Sequence, residues 1–335
     1  MSGINIKQLA QELNLSPASV SRALRDSHEI SIATKQKVWA LAKRLNYEPN
    51  PFASNLRQPK SKTIAVIIPE VANHFFSLAI NGIEDIARQH NFHVLIYQSH
   101  ESSETEISLT NRLLSGRVEG ILISVSNESN NSDHFDALSK KIPVVFFDRV
   151  YENLKVAVVT TNDYESAYNA TQHLIDCGCK NILYCKAFNA LAAGKKRLLG
   201  YTDALKANDL VPNEDLIVLA SNDKLANITT IKNHLAEHKP DGILSSIEEM
   251  AFPCYIACNE LNLKIPEEIK IVSFSNLESA PLLNPPLTTV TQPAFDIGQQ
   301  AANLLFNYLE KKNVDFSNHE LKSILIKRAS TGFYN

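Results

Sequence analysis

The chain has 335 residues, 44% of them hydrophobic and 21% charged, so it can bury more than one core. The sequence holds no run that approaches the roughly 18 apolar residues of a membrane span. Its N-terminus lacks the charged-then-apolar pattern of a signal peptide, so we expect a cytoplasmic protein without membrane contact. The five cysteines are odd in number and lack paired Cys-x-x-Cys spacing, which favours buried free thiols over a metal site. We expect neither a metal nor a cofactor.

Positive charge is concentrated at the start of the chain, although the net charge is −3. Residues 1–62 contain ten Lys and Arg against four Asp and Glu, which gives them +6 and leaves −9 for the rest. A basic head on an acidic body indicates that the head alone binds a polyanion. The alternative is a solvated run of surface charge.

The first residues predict two short helices separated by a break at Asn14. The apolar face of the first helix consists of Ile6, Leu9, Ala10 and Leu13. Asn5 is placed to cap this helix and Ser16 to cap the second. Pro17 takes the first helical position of the second helix, where its missing N–H costs nothing.

The second helix separates into two faces. Its inward residues are Val20, Ala23 and Leu24, and its outward residues are Pro17, Ala18, Ser21, Arg22 and Arg25. Two short helices, a sharp turn and a small polar or basic outer face are typical of a helix-turn-helix, whose second helix enters a DNA major groove. Any helical hairpin is the alternative.

A third helix and a linker follow. Ser31 begins the helix, and its apolar stripe consists of Val38, Leu41, Ala42 and Leu45, with Trp39 beside it. Pro49 and Pro51 then break the pattern. Residues 50–57 begin with an N-cap and a proline, but about eight residues cannot hold a helix alone in water. We therefore expect this segment to become ordered only on binding.

From Thr63 onward the chain alternates apolar runs with helical patterns. The runs are Ile64–Ile68, Val94–Tyr97, Gly120–Val125, Val144–Phe147, Val156–Val159, Ile182–Cys185, Leu216–Leu219, Gly242–Leu244 and Ile269–Phe274. Runs this apolar belong to strands covered on both faces, which predicts a doubly wound parallel α/β body. The body is longer than one such sheet needs, so we expect two lobes with a ligand cleft between them.

Several motifs are specific to one known family. In the head they are Ile6-Lys-Gln-Leu-Ala10, Leu15-Ser-Pro-Ala-Ser-Val-Ser-Arg22, Val38 with Leu45-Asn-Tyr-Glu-Pro-Asn50, and Ala53-Ser-Asn-Leu56. In the body they are Ile142-Pro-Val-Val-Phe-Phe-Asp-Arg149, His173-Leu-Ile-Asp-Cys-Gly178, Arg197-Leu-Leu-Gly-Tyr201 and Pro286-Leu-Thr-Thr-Val290. Through these motifs the whole chain resembles the LacI/GalR family of bacterial transcription regulators.

The resemblance implies a small all-α helix-turn-helix head, joined by a hinge helix to a two-lobed α/β core like that of periplasmic binding proteins, with parallel, doubly wound sheets. The implied domains are a helix-turn-helix at 1–46, a linker and hinge helix at 47–62, a first lobe at 63–161 plus 291–320, and a second lobe at 162–290 plus 321–335. It also implies a homodimer bound to a palindromic operator in double-stranded DNA.

The resemblance also implies which residues contact DNA. The family's base-reading positions map to Pro17, Ala18 and Arg22, with Ser16, Ser19 and Ser21 nearby. Arg22 can donate a bidentate pair to guanine, whereas Pro17 and Ala18 offer only apolar contact, as with a thymine methyl group. A surface salt bridge is the alternative for Arg22. Asn5 and Ser31 are the expected phosphate contacts.

The hinge contacts follow from the same resemblance. Leu56 resembles the family's minor-groove wedge, and two such leucines in a dimer would unstack a base step and kink the duplex. Ala53 and Asn55 would help hold the groove open, and Asn50 caps the segment. The alternative is that Leu56 covers the body.

For the effector, the family's contact positions read Phe75, Phe76, Asp148, Asn162 or Asp163, Arg197 and the loop at Ser273–Asn276. A strand-end carboxylate can accept sugar hydroxyls, Arg197 can reach into the cleft, and a phenylalanine can stack on a ring. Each residue has a structural alternative, because strand-end acids and helix arginines commonly form surface pairs.

Two departures from the family pattern weaken the expectation of a sugar site. Ser275 stands where the family usually has the aspartate that binds ligand hydroxyls, and Ile247 stands where it usually has an asparagine. We expect a larger or more apolar effector, such as an oligosaccharide or a nucleoside, or none.

We therefore expect a DNA-binding regulator, a repressor, switched by lobe closure around a small molecule. A regulator controlled by a partner protein, or one without an effector, is the alternative within regulation. A solute-binding protein is the alternative from another class. The chain is not expected to be an enzyme, because the GxxxxGK[ST], HExxH and GxSxG motifs are missing from the sequence.

Overall fold

The computed structural model describes residues 5–24, 26–27, 29–45, 47, 61–114, 117–127, 133–151, 156–186, 191–221, 223–312 and 318–333. The chain divides into two units, a head (Met1–Ser61) and a body (Lys62–Asn335). No helix within these described ranges is long and apolar enough to cross a membrane.

Among the described residues of the head there are three helices, which lie at the predicted places. They are α1 (Ile6–Glu12), α2 (Pro17–Leu24) and α3 (Ile32–Arg44). α1 begins with a capping box, in which Asn5 accepts from the backbone N–H of Gln8 and Gln8 accepts from the N–H of Asn5. Asn14 has a φ of 48°, the left-handed conformation that Asn tolerates well, and it forms the predicted break.

One apolar core joins the three helices of the head. It consists of Leu9, Ala10, Val20, Ala23, Leu24, Val38, Leu41 and Ala42. The three residues that it takes from α2 are the predicted inward set. Because that face is turned into the core, Pro17 and Arg22 stay exposed on the opposite face of α2.

The body contains two sheets, each of six strands among the described residues. The first consists of β1 (Thr63–Ile68), β2 (His93–Gln98), β3 (Gly120–Ile123), β4 (Val144–Phe147), β5 (Ala157–Thr161) and β11 (Asn318–Leu321), in the order β11-β5-β4-β3-β1-β2. The second consists of β6 (Ile182–Lys186), β7 (Ile217–Leu219), β8 (Gly242–Ser245), β9 (Lys270–Phe274), β10 (Thr288–Thr291) and β12 (Ile324–Ile326), in the order β12-β10-β9-β8-β6-β7.

Parallel pairing dominates both sheets, which confirms the predicted doubly wound α/β body. The antiparallel pair is β10 with β12. The covering helices are α4 (His74–Gln89), α5 (Ser103–Leu113), α6 (Asp133–Ser139), α7 (Asp163–Asp176), α8 (Ala192–Ala207), α9 (Lys224–His238), α10 (Ala251–Glu260) and α11 (Ala294–Leu309). Short 3-10 helices lie at Glu214–Leu216, Glu248–Met250, Ala280–Leu282 and Ala329–Thr331.

The chain connects the two sheets repeatedly. It enters the second sheet after β5, returns to the first after β10, and leaves again after β11. The cleft between the sheets begins where β4, β8 and β9 end, which is where parallel sheets place their ligands.

Two strands of the first sheet differ from the expectation of apolar strands covered on both faces. β2 lies at an edge, and its Leu95 and Ile96 are 40% and 42% exposed. β11, with the sequence Asn-His-Glu-Leu, was absent from the predicted strands, because it lies at the other edge and has no apolar run.

Four of the five free thiols are buried, and Cys177 is partly exposed. This agrees with the expected free thiols, except that one of them reaches the surface.

Two glycines allow α4 and α11 to lie close together over the first sheet. A Cβ on Gly82 would overlap the carbonyl oxygen of Phe295, and a Cβ on Gly298 would overlap that of Ala79. Both obstacles are backbone, which cannot move aside as a flexible side chain does.

We therefore expect Gly298→Ala to force the two helices apart and to lower the free energy of unfolding by about 1–3 kcal/mol. Urea denaturation of the variant measures this. Asn303→Ala, an exposed change on the same helix, is the control and should be nearly neutral. Equal stability of the two variants would contradict close packing at Gly298.

Candidate DNA-reading face and interlobe cleft

The predicted recognition helix α2 begins with a serine cap. The backbone N–H of Ser19 donates to Ser16 Oγ over 3.0 Å, and the hydroxyl groups of these two serines lie 2.9 Å apart. Pro17 follows the cap and is exposed, while Ala18, Ser19 and Ser21 are half-buried. The predicted base-reading residues therefore share the first turns of one helix, with the polar groups of Ser16 and Ser19 engaged in the cap.

Arg22 lies on the same outer face and has two protein contacts. Its Nη1 donates to Glu29 Oε2 over 2.7 Å, and its Nε donates to the carbonyl oxygen of Ala18 over 3.4 Å. The side chains of Arg22 and Glu29 are 44% and 51% exposed. The surface salt bridge considered as the alternative for Arg22 thus exists, and an exposed pair of this kind contributes little to stability.

The predicted phosphate contacts are both helix N-caps. Asn5 Oδ1 accepts from the N–H groups of Lys7 and Gln8, and Ser31 Oγ accepts from that of Thr34. Helix N-termini with free N–H groups favour phosphate oxygens. The predicted hinge residues Asn50, Ala53, Asn55 and Leu56 lie outside the described residues.

The interlobe cleft is a space between the two lobes that is partly open to solvent. The predicted effector residues that line it are Phe75, Phe76, Asp148, Arg197, Ile247 and Ser275. The first three belong to the first lobe and the others to the second. The structure therefore brings together side chains that are up to 200 positions apart in the sequence.

Arg197 is fixed inside the cleft wall by three partners. Its Nε donates to Asp163 Oδ1 over 2.7 Å and its Nη1 donates to the carbonyl oxygen of Ser246 over 2.6 Å. Its guanidinium carbon lies 4.1 Å from the centre of the Phe274 ring. Since the side chains of Arg197 and Asp163 are only 5% and 3% exposed, this is a buried ion pair.

Asp148 follows β4 in a strained backbone conformation, with a φ of 60°. Burial raises the pKa of its carboxyl group to about 6, although the nearby Arg149 and Arg197 oppose that rise. This carboxyl group therefore titrates near neutral pH, where it can accept a hydrogen bond when ionised and donate one when protonated.

Neither of the two residues predicted at the start of α7, Asn162 and Asp163, is among the residues that line the cleft. Asp163 lies behind the lining, where it pairs with Arg197. Asn162 Oδ1 instead accepts from the Ser166 hydroxyl group over 2.9 Å and from the N–H of Ser323 over 2.8 Å. Asn162 thus links the crossover after β5 with the crossover after β11.

The two phenylalanines offer less ring surface than expected. Phe75 and Phe76 are 6% and 2% exposed and contact each other edge to face, with 5.3 Å between ring centres. Both belong to the apolar core beneath the first sheet. The guanidinium group of Arg149 lies 5.4 Å from the Phe76 ring, and its Nη1 donates to Glu101 Oε1 over 2.6 Å.

Glu248 is a cleft residue that the sequence prediction missed. Its Oε2 accepts from the Ser275 hydroxyl group over 3.1 Å and from the N–H of Asn276 over 2.7 Å. Its Oε1 lies 3.0 Å from Nδ1 of His74 in the first lobe. A carboxylate therefore does lie beside Ser275, where the family usually has an aspartate, but it follows β8 instead of β9. The signal available in the sequence was the Glu-Glu pair directly after the apolar run of β8.

Glu248 and its neighbour bridge the two lobes. The Nδ2 group of Asn73 donates to Glu249 Oε1 over 2.6 Å, next to the contact between His74 and Glu248. These residues stand at the N-terminus of α4 in the first lobe and in the turn after β8 in the second. Direct side-chain contacts therefore join the lobes across the cleft mouth.

Residues 5–50 match the family described as "Bacterial regulatory proteins, lacI family", and residues 61–329 match "Periplasmic binding proteins and sugar binding domain of LacI family". The chain belongs to the LacI family. This confirms the predicted family and fold class, and with them a DNA-binding transcription regulator with an effector-binding core. The family consists of transcription regulators rather than enzymes.

Known proteins resemble the LacI-family chain over 80–98% of its length. It is 31% identical to catabolite control protein A of Priestia megaterium, covering 98% of this chain and 99% of that protein. A structure of the lac repressor dimer bound to operator and the anti-inducer ONPF shares the fold, with a TM-score of 0.84, 23% identity and coverage of 98% and 99%. A LacI-family regulator from Enterococcus faecium with bound ribose has a TM-score of 0.70, 28% identity and coverage of 80% and 98%.

The raised pKa of Asp148 predicts how stability depends on pH. The folded state binds the proton more tightly than the unfolded chain, whose aspartates titrate near 3.8. The stability contributed by protonation is therefore present below about pH 4, and it is lost as the pH rises through about 6. At pH 7.5, Asp148→Asn should raise the free energy of unfolding by about 1–3 kcal/mol, as measured by urea denaturation. Asparagine also tolerates a positive φ.

At pH 4 the advantage of Asp148→Asn should disappear, because the natural carboxyl group is then protonated. Asp148→Ala is the matched control, since it removes the same charge but strains the left-handed backbone by about 1–2 kcal/mol. An advantage of the Asn variant that is the same at both pH values would contradict the raised pKa.

Proposed function

We propose that this LacI-family chain is a repressor that binds a palindromic operator as a homodimer, with its operator affinity set by a small molecule in the interlobe cleft. The arrangement of the cleft carries this proposal. Asp148 from the first lobe and Arg197 from the second line the same cleft. A ligand that contacts both groups gains more from the closed lobes than from the open lobes, so it shifts that equilibrium.

Lobe closure gives the effector a path to the DNA. In the proposed mechanism, closure moves the first lobes of a dimer relative to each other and so orders or melts the hinge segment at 47–62. Leu56 of that segment is proposed as the minor-groove wedge, supported by Asn50, Ala53 and Asn55. Base identity would then be read by α2 and DNA bending would depend on the hinge.

Within α2, we assign base reading to Arg22 and apolar contact to Pro17 and Ala18. Arg22 supports this assignment because it is exposed on the outer face and is held there by weak contacts. Asn5, Ser16, Ser19, Ser21 and Ser31 are assigned to phosphates and neighbouring groups. The net charge of +6 on residues 1–62 supplies the attraction that does not depend on sequence.

The effector is proposed to be larger or more apolar than a monosaccharide. Ile247 cannot donate or accept a hydrogen bond, and the Ser275 hydroxyl group is engaged with Glu248. The carboxylate of Glu248 is itself occupied by Ser275, Asn276 and His74, which leaves little capacity for ligand hydroxyl groups. An oligosaccharide or a nucleoside could use the charged residues and the apolar wall together.

The contacts across the cleft mouth favour a second candidate. Glu248 and Glu249 already join the lobes through His74 and Asn73. If these contacts suffice to hold the closed form, a partner protein rather than a metabolite would set the operator affinity. A titration that detects no small-molecule effector in a repressor that still binds DNA would favour this candidate.

Arg22→Ala should weaken operator binding by about 1–3 kcal/mol and relax the preference at one base position. Arg44→Ala is the control, because Arg44 is also an exposed head arginine paired with a carboxylate, Glu12. It should leave the base preference unchanged.

Gel shifts measure the operator affinity and binding-site selection measures the base preference, each repeated from low to physiological salt. An unchanged motif in Arg22→Ala would count against base reading, and affinity insensitive to salt would count against the basic head.

Thermal-shift screening with sugars and nucleosides tests the effector. Plain hexoses and pentoses should bind with an affinity weaker than micromolar. One lost charged hydrogen bond costs roughly 1.5–3 kcal/mol, or about one to two decades of affinity. Arg197→Lys should weaken binding of the true effector. Arg88→Lys, a change at an exposed pair outside the cleft, should leave that binding unchanged. Arg197→Ala is unsuitable, because an unpaired Asp163 would destabilise the fold by about 3–5 kcal/mol.

Either of two results would contradict this assignment. Micromolar or tighter binding of a plain hexose would show that Ile247 and Ser275 do not exclude simple sugars. An effector whose affinity is the same in Arg197→Lys as in the natural protein would remove Arg197 from the binding site.

A further inference from the structure

We propose that Glu29 is a positioning residue that makes Arg22 specific for a base edge rather than for phosphate. The inference rests on the proposed role of Arg22 in base reading. Glu29 lies between α2 and α3, and its Oε2 accepts from Arg22 Nη1 over 2.7 Å. An acidic group in contact with the outer face of a recognition helix would otherwise only oppose DNA binding.

The guanidinium group retains enough donors to read a base while it is held. It carries five N–H groups, of which Glu29 takes one on Nη1 and the Ala18 carbonyl takes the one on Nε. One N–H on Nη1 and both on Nη2 remain. A bidentate contact with guanine O6 and N7 needs two. The contacts with Glu29 and Ala18 are therefore compatible with guanine recognition and restrict the side chain to one direction.

Restricting the direction of the Arg22 side chain matters, because an unrestrained arginine can bind a phosphate instead of a base. A long flexible side chain can turn to a backbone phosphate, which attracts it equally on every sequence. The carboxylate of Glu29 repels phosphate and partly neutralises Arg22, so it weakens that competing contact. Base reading depends on direction more than on net charge, so it survives. Glu29 thereby lowers affinity for random DNA more than affinity for the operator.

The head provides a matched control for this charge effect. Glu12 pairs with Arg44 at 3.2 Å, and its side chain is 49% exposed, close to the 51% of Glu29. Glu12→Ala and Glu29→Ala remove the same charge and the same atoms from one small domain. Both pairs are exposed, so neither change should unfold the head, and circular dichroism melting of each full-length variant verifies that.

The experiment compares full-length variants on the operator, on operators mutated at single positions and on random duplex DNA, by fluorescence anisotropy over a range of salt. Both variants should bind random DNA about two- to fivefold more tightly than the natural protein, because one negative charge is removed. Only Glu29→Ala should lose discrimination, by about 5- to 20-fold, at the base pair that Arg22 reads. Glu29→Gln, which keeps an acceptor oxygen, should restore part of it.

A double variant tests whether Glu29 acts through Arg22. In an Arg22→Ala background, Glu29→Ala should cause no further loss at that base pair. A further loss would overturn the proposal, as would full discrimination in Glu29→Ala alone. These failures differ from failure of the proposed function, in which Arg22→Ala itself leaves every base preference unchanged.

Discussion

The buried pair of Arg197 and Asp163 is the interaction on which the second lobe and the cleft both depend. It joins the first residue of α7 to α8, and the same guanidinium group holds the Ser246 carbonyl after β8. Removing one member of a buried pair leaves a charge in a medium that solvates it poorly. Arg197 is therefore a structural residue first. Any ligand that binds it must use the donors that Asp163 and Ser246 leave free.

The acidic groups of the cleft are arranged in two ways that differ in what they leave for a ligand. Asp148 is buried in a strained turn, and its carboxyl group titrates near pH 6, so its hydrogen-bonding character changes around neutral pH. Glu248 is instead held by the Ser275–Asn276 turn and by His74, which satisfies most of its acceptor capacity. The hydrogen-bonding character of Asp148 can thus change, whereas Glu248 joins the two lobes. The cleft therefore has one carboxyl group that changes protonation, Asp148, and one carboxylate that already accepts protein hydrogen bonds, Glu248. It differs from a site lined by carboxylates that are free to accept from ligand hydroxyl groups.

Local patterns predicted most of the fold, because they report local physics. Asn5, Ser16 and Ser31 cap the three head helices as expected, and the apolar runs became strands. β11 escaped prediction because an edge strand needs few apolar residues. The sequence could not show that Asp163 pairs with Arg197 while Asn162 contacts Ser166 and Ser323, since adjacent side chains point to different neighbours. The place of Glu248 depends on β8 lying beside β9, a long-range pairing that no local pattern contains.

Arg22 and Arg197 show how burial changes the strength of an arginine–carboxylate pair. Arg22 and Arg197 each have a carboxylate partner at 2.7 Å. Arg22 and Glu29 are about half exposed, so water competes with their contact and the pair adds little to stability. Arg197 and Asp163 are buried, so breaking their contact would leave a poorly solvated charge, and the position of Arg197 is fixed. The same kind of contact therefore orients an exposed side chain in the head and fixes a buried one in the body.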